Sequence, residues 1–197
     1  MNTLSGCKGE MTKIKDLDRK SGKPENPEFH YTPESLVKFL MSEENFPIVK
    51  GKNEENLPIV KGISFLDPAS GTNMVFYNNV SDKVVSFKDW DEIELQRDFF
   101  EDHRKFDWIA TNPPYHQIID FLFHSAEVAQ IGFSFLLNIE GINALTPRRL
   151  ERLYKEYGFG IKKILVVSVK KWFGRYYWVT FTKEKPFAVE YNTVNWE

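Results

Sequence analysis

The hydrophobic positions of the chain change their period several times, and each change marks an element. In FHYTPESLVKFLM, residues 29–41, Leu36, Val37, Leu40 and Met41 recur at helical spacing and share one face. Thr32 is placed to cap this helix with Pro33 at its first position, and the helix is predicted to run to about residue 42. From residue 63 onward strand-like runs alternate with helical patterns: ISFLD, a short helix around 74–77, KVVSF, IELQRDFF, FDWIAT, a helix over 116–130, GFSFLLNI, a helix over 147–157, IKKILVVSV and YYWVTFT. Ile118, Ile119, Leu122, Phe123 and Ala126 draw a clear apolar stripe along the first of the two longer helices. Such alternation predicts an α/β, doubly wound, mostly parallel sheet, closed at one edge by an antiparallel hairpin through KKWFGR. Ligands of these sheets sit at the carboxyl ends of strands, so the corners after Leu66, Phe87, Arg97 and Ala110 are the ones to inspect.

Two stretches carry no sustained period. Residues 1–28 are polar and read as a flexible arm, leaving a single domain over 29–197. EENFPIVKG at 43–51 returns as EENLPIVKG at 54–62, a local duplication expected to lengthen a surface connection at small entropic cost. The chain has 197 residues, 42% of them hydrophobic, which suits one well-buried core. No apolar run is long enough to span a bilayer and the N-terminus lacks a secretory signal, so no membrane partner and a cytoplasmic location are expected. Cys7 is the only cysteine and the four histidines have no zinc-ligand spacing; no metal is assigned.

Three corners could carry chemistry. In DPASGTN, Asp67 ends a strand, and Ala69 and Gly71 let a ligand approach backbone amides at a helix start. The loop lacks the three glycines of a dinucleotide fingerprint, which argues against hydride transfer. Asp89 follows the next strand where such folds place a carboxylate for ribose hydroxyls, with Asp91 as a substitute. Asp98 and Phe99 pair an acceptor with an aromatic face. The third corner, TNPPY at 111–115, presents acceptors. Each proline lacks a backbone donor and pushes the residue before it into extended conformation, so Asn112 and Pro113 keep unclaimed carbonyls. Asn112 adds a side-chain oxygen and Tyr115 a flat ring. Two fixed acceptors beside an aromatic platform hold the hydrogens of an exocyclic amino group on a planar ring or amide. Hydrogen bonds that strengthen as charge develops on that nitrogen make it a better nucleophile.

YTPESLV at 31–37, FLDPASGTN at 65–73, RDFF at 97–100 and TNPPY, in this order, resemble the S-adenosylmethionine-dependent amino-methyltransferases, specifically their DNA adenine-N6 group. The resemblance covers about residues 29–182 and implies a Rossmann-like methyltransferase sheet with S-adenosyl-L-methionine as cofactor. It places Tyr31, Thr32 and Pro33 near the methionine end of the cofactor, Asp67, Ala69 and Gly71 in the cofactor loop, Asp89 at the ribose, and Asp98 and Phe99 at the cofactor adenine. Asn112, Pro113 and Pro114 form the corner that binds the target amino group, Tyr115 stacks on the base, and Trp172 or Phe173 contacts it from the other side. The implied target base is flipped out of a duplex or taken from a single strand. RNA adenine and protein glutamine offer the same amino group and remain open as acceptors.

The sequence departs from that pattern in places. Thr72-Asn73 replace a second loop glycine, and 44 residues separate Asp67 from Thr111, so the helices between those strands are expected to be cut short. No segment is large enough for the region that reads target sequence in the DNA group, which implies relaxed specificity or a protein partner that reads it. Residues 146–186 carry 11 basic against 3 acidic side chains, interleaved with Trp172, Phe173, Tyr176, Tyr177 and Trp178. That mixture suits DNA or RNA. A degenerate methyltransferase fold that binds nucleic acid or a partner without turnover is the reading from a different class.

Overall fold

A computed structural model describes residues 32–42, 50–52, 58–60, 62–168 and 174–183. The expected arm over 1–28, Tyr31, Trp172 and Phe173 lie outside the described residues, as does much of the duplication. The elements are α1 (Glu34–Leu40), β1 (Lys50–Lys52), β2 (Pro58–Val60), β3 (Ile63–Asp67), α2 (Val75–Asn79), β4 (Val85–Trp90), β5 (Phe106–Thr111), α3 (Ile118–Val128), β6 (Ala129–Leu137), α4 (Ile139–Ala144), α5 (Pro147–Tyr157), β7 (Gly160–Val167) and β8 (Tyr176–Thr182). Instead of forming only a loop, the last two residues of the first copy and Lys52 after them pair antiparallel with Pro58–Val60 of the second, Lys50 opposite Val60 and Lys52 opposite Pro58.

The main sheet has the order β4-β3-β5-β6-β8-β7. β4, β3, β5 and β6 run parallel, and β8 enters antiparallel between β6 and β7, which is the closing hairpin the sequence predicts. The chain steps from β3 to β4 on one side and then returns to β5 on the other. A crevice therefore opens at the carboxyl ends of β3 and β5, where connections leave in opposite directions.

Alternation along the strands divides the core. Phe65, Trp108, Leu136 and Trp178 meet α1 and α2 on one face, while Leu66, Ile109, Phe133, Phe135 and Phe181 meet α3, α4 and α5 on the other. Phe133 stacks on Phe181 at 4.6 Å between ring centroids and meets Phe159 edge-on at 5.1 Å. Truncating one such buried ring to alanine costs about 3–5 kcal/mol. This cluster locks β8 against β6 and so carries the ends of both strands to the crevice. At Gly132 a Cβ would collide with the Trp108 ring and the Phe181 carbonyl, so glycine permits the close approach of β6 to its neighbours.

Three local expectations need correction. Thr32 does not cap α1: Pro33 is the N-cap residue, without a side-chain cap, and the helix stops at Leu40. IELQR is not a strand. Residues Ile93–Leu95 and Phe99–Glu101 form single 3-10 turns, with Gln96 left-handed between them at φ 60°. The Glu92 carboxylate accepts from the Glu94 amide and the Asp98 carboxylate from the Phe100 amide, and such local bonds compete with a strand ladder. Between β6 and α5 lies α4, which the apolar pattern of the sequence does not announce. By contrast α5 keeps its expected bounds, with Pro147 in its first turn and Gly158 left-handed at φ 77° closing it.

Candidate active site

The crevice is a cleft of about 890 Å³. One half is built by the turn after β3, with Ala69 and Gly71, and by the segment after β4, with Glu92, Asp98 and Phe99. Its other half is built by Thr32 and the corner Asn112-Pro113-Pro114-Tyr115, with Asn138 and Glu140 after β6 and Tyr176 at the start of β8. The sequence-predicted residues Thr32, Ala69, Gly71, Asp98, Phe99, Asn112, Pro113, Pro114 and Tyr115 are thus brought to one cavity. The two halves are tied together where β5 ends, because the Thr111 hydroxyl donates to the Ala69 carbonyl at 3.3 Å.

Pro33, Asp67 and Asp89 are not among the lining residues. Asp67 is fully buried beneath the loop, where its Oδ2 accepts from the Tyr77 amide in the first turn of α2 at 3.3 Å. It substitutes for the missing cap, since the N-cap position is Met74, a non-glycine residue held left-handed at φ 48°. Burial pushes the Asp67 carboxyl up to about 7, against the opposing pull of the Thr111 hydroxyl and the Tyr77 and Ala69 amides nearby. Asp89 is held by two guanidinium groups, Arg97 at 2.8 Å and Arg104 at 2.7 Å. Burial raises its pKa, but the hydrogen bonds from Arg104, the Trp90 amide and Arg97 outweigh that and keep it below the usual carboxylate range. Asp91, the substitute, is also turned inward beside Arg97 at 3.4 Å, and burial followed by the charge of Asp102 raises it to about 6.

Glu92, rather than Asp89, lines the cleft. Its carboxylate accepts from the Gly71 amide at 2.7 Å, with Gly71 left-handed at φ 59°. At this helix start the protein's own carboxylates therefore satisfy the Gly71 amide, through Glu92, and the Tyr77 amide, through Asp67. Among the described residues that line the cleft, Glu92, Glu94, Asp98 and Glu140 are acidic, and none is lysine or arginine.

At the other end the Asn112 Nδ2 donates to the Thr32 hydroxyl oxygen at 3.2 Å. Asn112 Oδ1 is left buried with no hydrogen-bond partner. The Pro114 carbonyl accepts from the Gln117 amide, but no hydrogen bond to the Pro113 carbonyl is found among the described residues. Burial raises the pKa of the Tyr115 hydroxyl far above its usual value, and the neighbouring Tyr176 adds to this, while Asn112 opposes it. Tyr115 thus stays neutral, with its ring packed between the two halves of the core.

On α5 much of the basic charge is spent within the chain: Arg152 on Glu156 at 2.9 Å, Lys155 on Glu151 at 2.6 Å, and Arg149 on the Ala144 carbonyl at 2.8 Å. Lys170 and Lys171 lie outside the described residues. No cluster of three metal-ligating side chains is found among the described residues, and no helix among them is long and apolar enough to cross a membrane.

Neither a protein-family model nor a curated protein matches the sequence. Solved structures do match the fold. A Pyrococcus horikoshii protein described as a candidate RNA methyltransferase superposes with a TM-score of 0.54 at 16% identity, over 84% of this chain and 91% of that one. The ribosomal protein L11 methylase of Lactobacillus delbrueckii subsp. bulgaricus gives a TM-score of 0.52 at 12% identity, over 85% of this chain and 95% of that one. The chain shares the Rossmann-like fold of these two methyltransferases.

Proposed function

We propose that the cleft binds S-adenosyl-L-methionine and that the Asn112 corner holds an exocyclic amino nitrogen for methylation, adenine N6 of DNA being the acceptor the sequence resemblance implies. The observation that carries this reading is Asn112 Oδ1, a buried acceptor without a partner, on an amide whose nitrogen is engaged by Thr32. A buried, unsatisfied acceptor costs about 1–3 kcal/mol, which a site recovers when a ligand supplies the donor. Beside it the Pro113 carbonyl is available for the second amino hydrogen.

The other half of the cleft fits this cofactor better than a phosphate-bearing one. Three acidic side chains there, Glu92, Glu94 and Asp98, without a lysine or arginine disfavour pyrophosphate, and suit a ligand with a sulfonium and an ammonium group. When bound, the cofactor supplies a methyl group on positively charged sulfur. Glu92, in place of Asp89, would accept from the ribose hydroxyls, while Asp98 and Phe99 would hold the adenine by its amino group and its face. Asn112 and Pro113 then favour charge developing on the acceptor nitrogen, and Tyr115 keeps its ring in line.

RNA adenine and protein glutamine offer the same amino group and stay within the reading, as does a partner subunit that supplies sequence recognition. Titration of the purified protein with S-adenosylmethionine, followed by calorimetry, tests the first step. Saturable binding lost in Glu92→Ala supports the assignment; no binding at millimolar cofactor favours the fold without turnover.

A further inference from the structure

Four carboxamides line the cleft, Asn73, Asn112, Gln117 and Asn138, and hydrogen bonds hold Asn112 and Asn138 in opposite senses. Asn112 spends its nitrogen on Thr32 and leaves its oxygen buried without a partner at the cleft wall. Asn138 does the reverse. As N-cap of α4 its Oδ1 accepts from the Gly141 amide at 2.8 Å, so its Nδ2 is left as a donor, and no partner for that nitrogen is found among the described residues. An amide flip would set nitrogen against an N–H, which excludes the alternative orientation.

The sheet sets the spacing of the pair. Thr111 is in register with Phe135 on the parallel strand β6, so Asn138 lies two residues beyond the position opposite Asn112. That corresponds to about 7 Å along the strand and about 5 Å across it. An amino group and an adjacent ring nitrogen, each making one hydrogen bond, fit between side chains so placed.

We infer that Asn138 is a specificity-determining residue, which donates to the acceptor atom next to the amino nitrogen held by Asn112. The inference rests on the amino-methyltransferase reading. An acceptor oxygen beside a donor nitrogen complements the amino group and N1 of adenine. The amino group and N1–H of guanine are both donors, and would set N1–H against Nδ2. Asn138 therefore selects adenine over guanine, at a position none of the sequence motifs includes.

The test uses the full chain, S-adenosylmethionine with a labelled methyl group, and single-stranded oligonucleotides whose target base is adenine, 1-deazaadenine or guanine. Removing N1 from adenine is expected to lower kcat/KM roughly ten- to a hundredfold, with guanine left unmethylated. Asn138→Asp keeps an oxygen for the Gly141 amide but turns the donor into an acceptor. Its melting temperature is expected to stay close to that of the parent while transfer to adenine falls by a similar factor. Equal use of adenine and 1-deazaadenine, methylation of guanine, or full adenine activity in Asn138→Asp would each overturn the inference and leave the amino-methyltransferase reading standing. Transfer to none of these bases or to glutamine peptide, without cofactor binding, overturns that reading and the inference with it.

Discussion

Asn112, at the end of β5, donates to Thr32, at the entrance to α1, across 80 positions of sequence at 3.2 Å. The Thr32 hydroxyl is thereby spent on the corner rather than on a helix cap. This bond holds an otherwise rotatable amide at the cleft wall, with its oxygen buried and unpartnered. Thr32→Val preserves the shape and removes the partner. It is expected to cost about 1 kcal/mol of stability and to lower kcat more than it raises KM, with Thr32→Ser restoring both. Denaturant titration and methyl-transfer kinetics measure the two effects; an unchanged kcat in Thr32→Val would contradict a positioning role.

Asp89, which the sequence points to for the ribose, is engaged by Arg97 and Arg104, while Glu92 faces the cleft. Asp89→Asn weakens the ion pairs with Arg97 and Arg104, and is expected to cost about 1 kcal/mol while leaving cofactor affinity within roughly twofold. Glu92→Ala is expected to reduce affinity roughly tenfold or more, because it removes the carboxylate facing the cleft. Calorimetric titration of both variants decides between them, and the reverse ranking would restore Asp89.

Asp67 couples stability to pH. Its folded-state pKa of about 7 lies above the ordinary 3.8, so between these values the folded chain keeps a proton that the unfolded chain has lost. Stability from this group is expected to fall as pH rises from about 4 to about 7, and Asp91, raised to about 6, adds in the same direction. Asp67→Asn retains an acceptor for the Tyr77 amide and should flatten the slope. Chemical denaturation at several pH values checks this, and an unaltered slope would remove Asp67 as its source.

Met74 occupies a left-handed conformation that costs a non-glycine residue roughly 1–2 kcal/mol. Met74→Gly relieves it and is expected to raise stability by about 0.5–1 kcal/mol, net of the greater freedom of the unfolded chain. A loss of stability in thermal unfolding would mean that the half-buried methionine side chain contributes more than the strain costs.

What was legible in the sequence depended on whether the signal was local. The TNPPY corner and α5 follow from backbone restrictions and a sustained period, so both appear where the sequence predicts them. The turns after β4 do not, because Glu92 and Asp98 divert backbone amides of an apolar, strand-like run through side-chain bonds that spacing does not reveal. Choosing between Asp89 and Glu92 required knowing that Arg97 and Arg104 claim the former. Asn138 was out of reach for another reason: its meaning lies in the Gly141 amide that orients it and in the register that sets it near Asn112. An asparagine followed three positions later by glycine, just after an apolar strand, is the only trace it leaves in the sequence.

The central claim is that the Asn112 corner holds an amino nitrogen for methyl transfer from S-adenosylmethionine. Its most direct test is transfer of a labelled methyl group to a single-stranded adenine oligonucleotide by the parent chain and by Asn112→Ala, with the product resolved by nucleoside analysis. N6-methyladenine is expected from the parent, with a loss of at least about a hundredfold in the variant while cofactor affinity is retained. Undiminished transfer by Asn112→Ala, or a methylated product at a ring nitrogen or carbon instead of an amino group, would contradict it.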